Sequence, residues 1–394
     1  MKTVKILLAL LLAAMILGGC TDNSAPAETT EASVATTAPQ ATVSWEENIL
    51  MRNAADYHDY LYLDWSDDVD QSLVFGSRYQ RRQIRSVTFL DSLRETGEDA
   101  WDVSAAGNGA VLAWVKPNGE LYDLYIGAEG GINAGESCAR LFAGYVSLEE
   151  IQFGNAFHTE QTVDMSAMFF GCHGLTELDL SGLDTGNTEN MNAMLAFCST
   201  LRELELNGLN TGKVRNMENL FSGCTSLRKL DLTCLDVGNV ESMYRMFADC
   251  TSLEDLDVRG LNTGRVRNMV EMFCNCCSLI YLELEGIDTR YVDNMAAMFQ
   301  NCSSLRRLDL SGLDTSLVTL MKDMFRGCSA LAELDISSFD TGNVTDMGYM
   351  FMDCVSLNAL DLSHFDMSNV SGEYCTYMMF ANCPAGSQWQ HLLK

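Results

Sequence analysis

Hydrophobic positions between residues 141 and 383 recur with a fixed period. Cysteines stand at 172, 198, 224, 250, 276, 302, 328 and 354, each 26 residues after the last. Phe169, Phe221, Phe247, Phe273, Phe299, Phe325 and Phe351 sit three positions before those cysteines, with Leu195 as the one substitute. Met165, Met191, Met217, Met243, Met269, Met295, Met321 and Met347 sit four before that aromatic column. Leu175, Leu178, Leu180 and Leu183 return as Leu227, Leu230, Leu232 and Leu235. A fixed period of about 20–50 residues marks a solenoid or array, in which one unit cannot bury its apolar face without a neighbour.

Two periodicities alternate inside each unit. Val240, Met243, Met246, Phe247 and Cys250 fall at helical spacing and predict a short helix. Leu256 and Val258 alternate with polar residues and predict a short strand with those two side chains inward. Asp184-Thr185-Gly186-Asn187 and Asp314-Thr315-Ser316 supply the turn and cap residues between strand and helix. The expected fold is α/β: a solenoid of 26-residue strand-turn-helix units.

The ends of the array depart from the pattern, as terminal repeats do when one face lacks a neighbour. Leu141, Phe142, Leu148, Ile151 and Phe153 keep the internal spacing, with Cys138 in the methionine place and Tyr145 in the cysteine place. Met379, Phe380 and Cys383 come 29 residues after their predecessors, so three residues are inserted around 371–376. The repeat region is therefore 141–383, with a tail at 384–394.

Residues 45–140 read as a small, mostly β capping domain. Val111–Val115 and Leu121–Ile126 flank an Asn118-Gly119 turn and predict a hairpin. Arg85–Leu90 predicts a further strand, and Trp45–Tyr62 a helix or an irregular lead-in.

The first residues point to export. Lys2 and Lys5 precede the apolar run Ile6–Ile16, which is shorter than the about 20 residues of a membrane-spanning helix. Leu17-Gly18-Gly19-Cys20 follows at once and resembles a bacterial lipobox. That resemblance implies a signal peptide at 1–19, lipidation of Cys20 and anchoring outside the cytoplasm. Residues 20–44, rich in Thr, Ala, Ser and Pro, are expected to be a solvated tether.

Composition narrows the partners. With 54 acidic against 25 basic residues the net charge is −29, which argues against nucleic acid, because phosphate binding is driven by Lys and Arg. Membrane contact is expected through the N-terminal lipid alone. A hydrophobic content of 47% rules out wholesale disorder.

Segments such as 308–331 (LDLSGLDTSLVTLMKDMFRGCSAL) and 334–357 (LDISSFDTGNVTDMGYMFMDCVSL) resemble the BspA-like leucine-rich-repeat surface proteins of bacteria. Leu183 and its equivalents stand where the common leucine-rich consensus has Asn or Cys, so no asparagine ladder is carried over. The resemblance implies a leucine-rich-repeat-like solenoid displayed at the surface for adhesion or protein contact.

Candidate chemistry is sparse. Asp179, Glu205, Asp231, Asp257, Glu283, Asp309, Asp335 and Asp361 form an acidic column that should project from the strand face. It is the candidate partner-binding row, with Ca²⁺ as a possible oxygen-ligated guest. Adjacent carboxylates at strand spacing repel by about 1 kcal/mol in water, and Arg202, Arg228, Lys229, Arg259, Arg306 and Arg307 lie near enough to offset this. A second column, Asp184, Asp236, Asp288, Asp314, Asp340 and Asp366 with Asn210 and Asn262, is accounted for by turn chemistry.

The cysteine column lacks the clustered spacing of a metal site and reads as stacked, unpaired thiols packed as small hydrophobes. Cys138, Cys234, Cys274, Cys277 and Cys375, off the ladder, are the disulfide candidates in an exported protein. The methionine columns read as core filler. Arg78, Arg81, Arg82 and Arg85 form the densest basic group, better explained by internal pairing than by an anion site.

Five scattered histidines and no recognisable catalytic motif point away from enzymatic activity. The leading expectation is binding of macromolecular partners through the strand face. The alternatives are a glycan-binding module, for which the repeat strands offer Tyr281, and an enzyme within 45–140 using its tryptophans with Arg81 and Arg82.

Overall fold

The computed structural model describes residues 47–52, 72–372 and 374–393. The signal segment, Cys20, the tether, Trp45, Trp65 and most of the expected 45–62 lead-in lie outside the described residues.

The N-terminal region is built on strands β1 (Ile84–Leu90), β2 (Trp101–Asp102), β3 (Leu112–Asn118), β4 (Leu121–Gly127), β5 (Ile132–Asn133) and β6 (Glu150–Gln152). Five of these form one sheet in the order β2-β3-β4-β1-β6. The expected hairpin is β3–β4, but Asn118 pairs with Leu121, so the two-residue loop is Gly119-Glu120. Gly119 takes the positive φ of 64° that such a tight reversal demands. Strand β1 runs parallel to both β4 and β6, with Val87 opposite Ile151. Since β6 belongs to the degenerate first repeat, the N-terminal sheet continues directly into the array and covers its first unit.

The repeats are sheet units that pair in parallel at intervals of about one repeat. Short strands at Glu177–Asp179, Glu203–Glu205, Lys229–Leu230, Asp255–Leu256, Tyr281–Glu283 and Arg307–Asp309 form one row. Isolated parallel bridges run Ser137, Asp164, Asn190, Asn216, Ser242, Asn268, Asn294, Leu320 and Asp346 along another.

The expected helix is absent. Across 243–250 the amide N–H groups of Met243, Arg245, Phe247 and Asp249 donate to Asn268, Val270, Met272 and Cys274 of the next unit, at 2.8–3.0 Å. Those of Met246, Ala248 and Cys250 turn back to Met243, Arg245 and Phe247 at 3.1–3.3 Å. The segment is therefore a chain of tight turns that doubles as a parallel ladder. Two left-handed residues per unit make this possible, here Arg245 (φ 54°) and Asp249 (φ 61°), whereas an α-helix needs negative φ throughout. Sequence spacing could not separate the two, because Met243, Met246, Phe247 and Cys250 are fully buried, the pattern a helix would also give. The fold is accordingly β strands and turns, with short 3₁₀ turns at the ends, rather than α/β.

Identical side chains stack through the core. Phe221, Phe247, Phe273, Phe299, Phe325, Phe351 and Phe380 lie 5.6–5.8 Å apart, centroid to centroid, with planes within 12° of parallel. The first of these is separated from the stacked pair Phe142–Phe169 by Leu195, which interrupts the column. Each ladder thiol donates to a carbonyl one unit back, as Cys250 does to Phe221 at 3.1 Å. Burial pushes Cys198 and Cys250 up to about 12. All fourteen described cysteines are free, so the off-ladder set forms no disulfide among the described residues. The sequence makes them candidates because they lie off the ladder in a chain expected to be exported, but a bridge also needs two Cβ atoms brought close together, which spacing in the sequence does not decide.

The segment expected as a tail is a closing cap. Two 3₁₀ turns at Pro384–Gln388 and Gln390–Leu392 fold onto the last unit. There Ala385 N–H donates to Leu357 at 2.9 Å and the Trp389 indole to Leu360 at 2.8 Å.

Candidate partner-binding face

The strand row positions the acidic column by simple alternation. Leu178, Leu230, Leu256, Leu282 and Leu308 point into the core, and their neighbours on both sides are exposed. Parallel register then stacks like on like: Asp179 stands beside Glu205 and Glu283 beside Asp309. All eight residues of the column are exposed, as the alternation predicted.

Six of them have a task the sequence reading did not assign. The carboxylates of Asp179, Asp231, Asp257, Asp309, Asp335 and Asp361 each accept the backbone N–H two residues on, at 2.8–3.0 Å. Each is an Asx turn that bends the chain out of the strand. The hydroxyls of Ser181 and Thr233, then their backbone N–H groups, hold Asp179 and Asp231 below the usual carboxylate range. The backbone N–H groups of Ser311, Ser337 and Ser363, then their hydroxyls, do the same for Asp309, Asp335 and Asp361. The side chain of Arg259, then its backbone N–H, lowers Asp257 to about 2. Glu205 and Glu283 are one methylene longer and do otherwise: Glu205 accepts the Asn207 amide at 3.0 Å and Glu283 pairs with Arg259 at 3.2 Å. The Asp members are thus structural as well as charged. Among the described residues no three Asp, Glu, His or Cys converge into a metal-holding group.

The same chemistry closes two further corners in most units. Asp184, Asp236, Asp314 and Asp340 accept the N–H two residues on, as expected for the second column. Asp164, Asn190, Asn216, Asn268, Asn294 and Asp346 do so at a third. The signal for that third corner was an Asp/Asn column at 26-residue spacing, masked by Ser242 and Leu320.

Near the middle of the face the charge gives way to an apolar pair. Ile280 and Tyr281 are 49% and 55% exposed, and Tyr281 pairs in register with Arg307. Towards the N-terminal side of the row, Lys229–Asp255 (3.8 Å) and Arg228–Glu254 (3.9 Å) link adjacent strands. Exposed pairs of this kind contribute little stability, but they fix a mixed pattern of sign across the face.

The other nominated residues do not assemble into a site. Arg78 pairs with Asp99 at 3.2 Å, and Arg85 with Asp123 at 2.9 Å and Glu149 at 3.5 Å. Arg81 is buried and donates to the Ala143 carbonyl, whereas Arg82 is exposed. Trp114 is fully buried and stacks on Tyr125 at 5.8 Å. A second exposed aromatic group sits at the other end, where Tyr377 contacts Tyr349 (5.4 Å) and Tyr374 (5.8 Å).

The repeat that builds this face is matched three times by one family profile, described as "Mycoplasma protein of unknown function, DUF285", at residues 136–226, 196–307 and 277–389. The chain belongs to this family. The matches begin at the degenerate first unit and end within the C-terminal cap, so they take in the whole array. No curated protein matches the chain. Among solved structures, the crystal structure of a TLR13–ssRNA13 complex aligns at 14% identity with a TM-score of 0.24. That alignment covers 64% of this chain and 42% of the other, and at such a score it carries no argument about fold or function.

Proposed function

We propose that this DUF285 protein is a surface-displayed solenoid of the BspA-like kind, which binds macromolecular partners through its strand face and performs no catalysis. Cys20 carries the lipid and residues 20–44 are the tether that holds the array away from the membrane. The partner is a protein, met in adhesion or in scaffolding at the cell envelope.

One observation carries this reading: an exposed row of strands on which ordered carboxylates flank the apolar pair Ile280–Tyr281 and the guanidinium of Arg307. Aromatic and arginine side chains dominate the energetics of protein interfaces, while charge around them sets partner choice and encounter rate. Because the face is built from backbone ladders, it is already ordered before a partner arrives, which lowers the entropic cost of association.

The test is a pull-down from envelope extracts with the mature protein, alongside Tyr281→Ala and the double variant Asp231→Asn/Asp257→Asn. Asn keeps the acceptor for the Asx turn and removes only the charge. A partner captured by the wild type and lost with Tyr281→Ala supports the reading. Equal capture by all three proteins moves the binding surface elsewhere. The glycan alternative is favoured by the C-terminal tyrosines, and an array on which Tyr374→Ala/Tyr377→Ala abolishes binding would select it.

A further inference from the structure

Past the corner at Asp236 runs a separate row of side chains, one per unit: Glu189, Arg215, Glu241, Arg267 and Asp293. The sign alternates along it. Arg215 uses both neighbours, at 3.9 Å from Glu189 and 3.7 Å from Glu241. Arg267 holds the equivalent place between Glu241 and Asp293 yet forms no ion pair among the described residues, where Arg265 beside it bonds through its side chain to Asn239 alone, at 2.8 Å. Arg265 and Arg267 both line a hollow of about 280 Å³, together with Glu241 and Tyr291. Its remaining lining residue is Gly264, where a Cβ would come to 3.2 Å from Asp288 Oδ2. Tyr291 is 49% exposed, so its ring is presented to solvent.

We propose that this hollow binds a single carboxylated sugar residue, such as a uronic acid. The volume is at the small end of ligand sites, matching one pyranose ring rather than a chain. Arg265 and Arg267 offer planar forks suited to a carboxylate, which accepts two parallel N–H bonds from such a group. Tyr291 supplies a flat apolar surface for the C–H face of the ring. Glu241, an acceptor only, takes hydrogen bonds from the sugar hydroxyls. Among the lining side chains two cations stand against one anion, and the nearby Asp288 is already paired with Arg290 at 2.9 Å, so the hollow balances a monoanion; a dianionic phosphate or sulfate cluster meets Glu241 and a chain of net charge −29. This site is on a different row from the strand face and does not depend on that face binding a protein.

The experiment is calorimetric titration of the mature protein with glucuronate and galacturonate, with glucose, galactose and acetate as controls. The expected result is saturable millimolar binding of at least one uronate, about tenfold tighter than its neutral counterpart and than acetate. Arg267→Gln and Tyr291→Ala should each weaken it by about tenfold while leaving the thermal melt unchanged, since both side chains are exposed. Four results would overturn the proposal: no saturable uronate binding, equal affinity for acetate, equal affinity for the neutral sugars, or unchanged affinity in folded Arg267→Gln. Binding of an acidic peptide in place of the uronates would reassign the hollow to a protein partner and overturn it equally.

Discussion

Thr185 and Asn210 are bonded twice. The Thr185 hydroxyl donates to the Asn210 carbonyl at 3.0 Å and accepts the Asn210 amide N–H at 2.7 Å. Thr211, Thr263, Thr289, Thr315 and Thr341 each donate in the same way to the next unit, at 2.8–3.2 Å. These buried hydroxyls form a ladder two positions after the Leu183 column. At the position of Val237 the ladder lacks a hydroxyl.

Removing the Thr289 hydroxyl leaves the N–H and the carbonyl of Asp314, in the next unit, without that partner. Thr289→Val is therefore expected to cost about 1–3 kcal/mol, the usual penalty for an unsatisfied buried polar group. Val237→Thr should be neutral or stabilising if the hydroxyl regains both bonds. Thermal melts of the two variants against wild type check this; a Thr289→Val protein as stable as wild type would remove the ladder from the stability argument.

The phenylalanines of the column, Phe221 through Phe351, are among the largest fully buried side chains of the described residues. Phe299 is fully buried and stacks at 5.7 Å on both Phe273 and Phe325. Phe299→Ala should destabilise by about 3–5 kcal/mol through lost burial and a cavity the flanking rings cannot close. Because repeats contact only their neighbours, the loss should appear first as local opening. Hydrogen exchange at 273–325 is the measurement.

Acid should unfold the array through its Asx turns. The folded-state values of Asp179, Asp231, Asp309, Asp335 and Asp361 lie below the ordinary range, and that of Asp257 is about 2. A depressed value means the unfolded chain takes up protons first. The stabilisation is complete above the unfolded value of about 3.9 and is lost as pH falls through the folded values. Relief of repulsion within so acidic a chain works in the opposite direction over the same window. The expected profile is a melting temperature that drops between about pH 4 and pH 2, with a shallower drop in Asp257→Asn. A melting temperature that rises steadily to pH 2 would contradict it.

The ladder thiols should be chemically silent. Burial pushes Cys198 and Cys250 up to about 12, so almost no thiolate exists at neutral pH. Mass spectrometry after alkylation of the native protein should show labelling at the half-exposed Cys234, Cys277 and Cys375 and none at the eight ladder positions. Full labelling should follow only on denaturation.

The strand row was legible because its signal is local: inward Leu256 and Val258 alternate with polar residues in any extended chain. The β3–β4 hairpin was legible for similar reasons, whereas the C-terminal cap at 384–392 was expected only as a tail. The turn segment was not. Met243, Met246, Phe247 and Cys250 follow a 3.6-residue rhythm, yet the amides of Met243 and Phe247 bond to the next repeat while those of Met246 and Cys250 close tight turns, and no property of the 26-mer alone says where an N–H will go. Gly223, Gly327, Asn275 and Asn301 did mark one left-handed position, but the other is held by Ala193, Arg245 and Tyr349, residues with no preference for it.

Sequence alone therefore determined the repeat, its length, the residues that are buried and the acidity of the exposed face, since all of these follow from which side chains shun water. Only the tertiary structure decided that the units join by backbone ladders rather than by packed helices. It also decided that Asp231 closes a turn while Glu283 does not, and that Arg265, Arg267 and Tyr291 share one hollow. The ladders and the hollow depend on contacts between residues about 26 apart, which exist only once neighbouring units are stacked, whereas the turn at Asp231 is a local bond to Thr233 that a shorter side chain can reach.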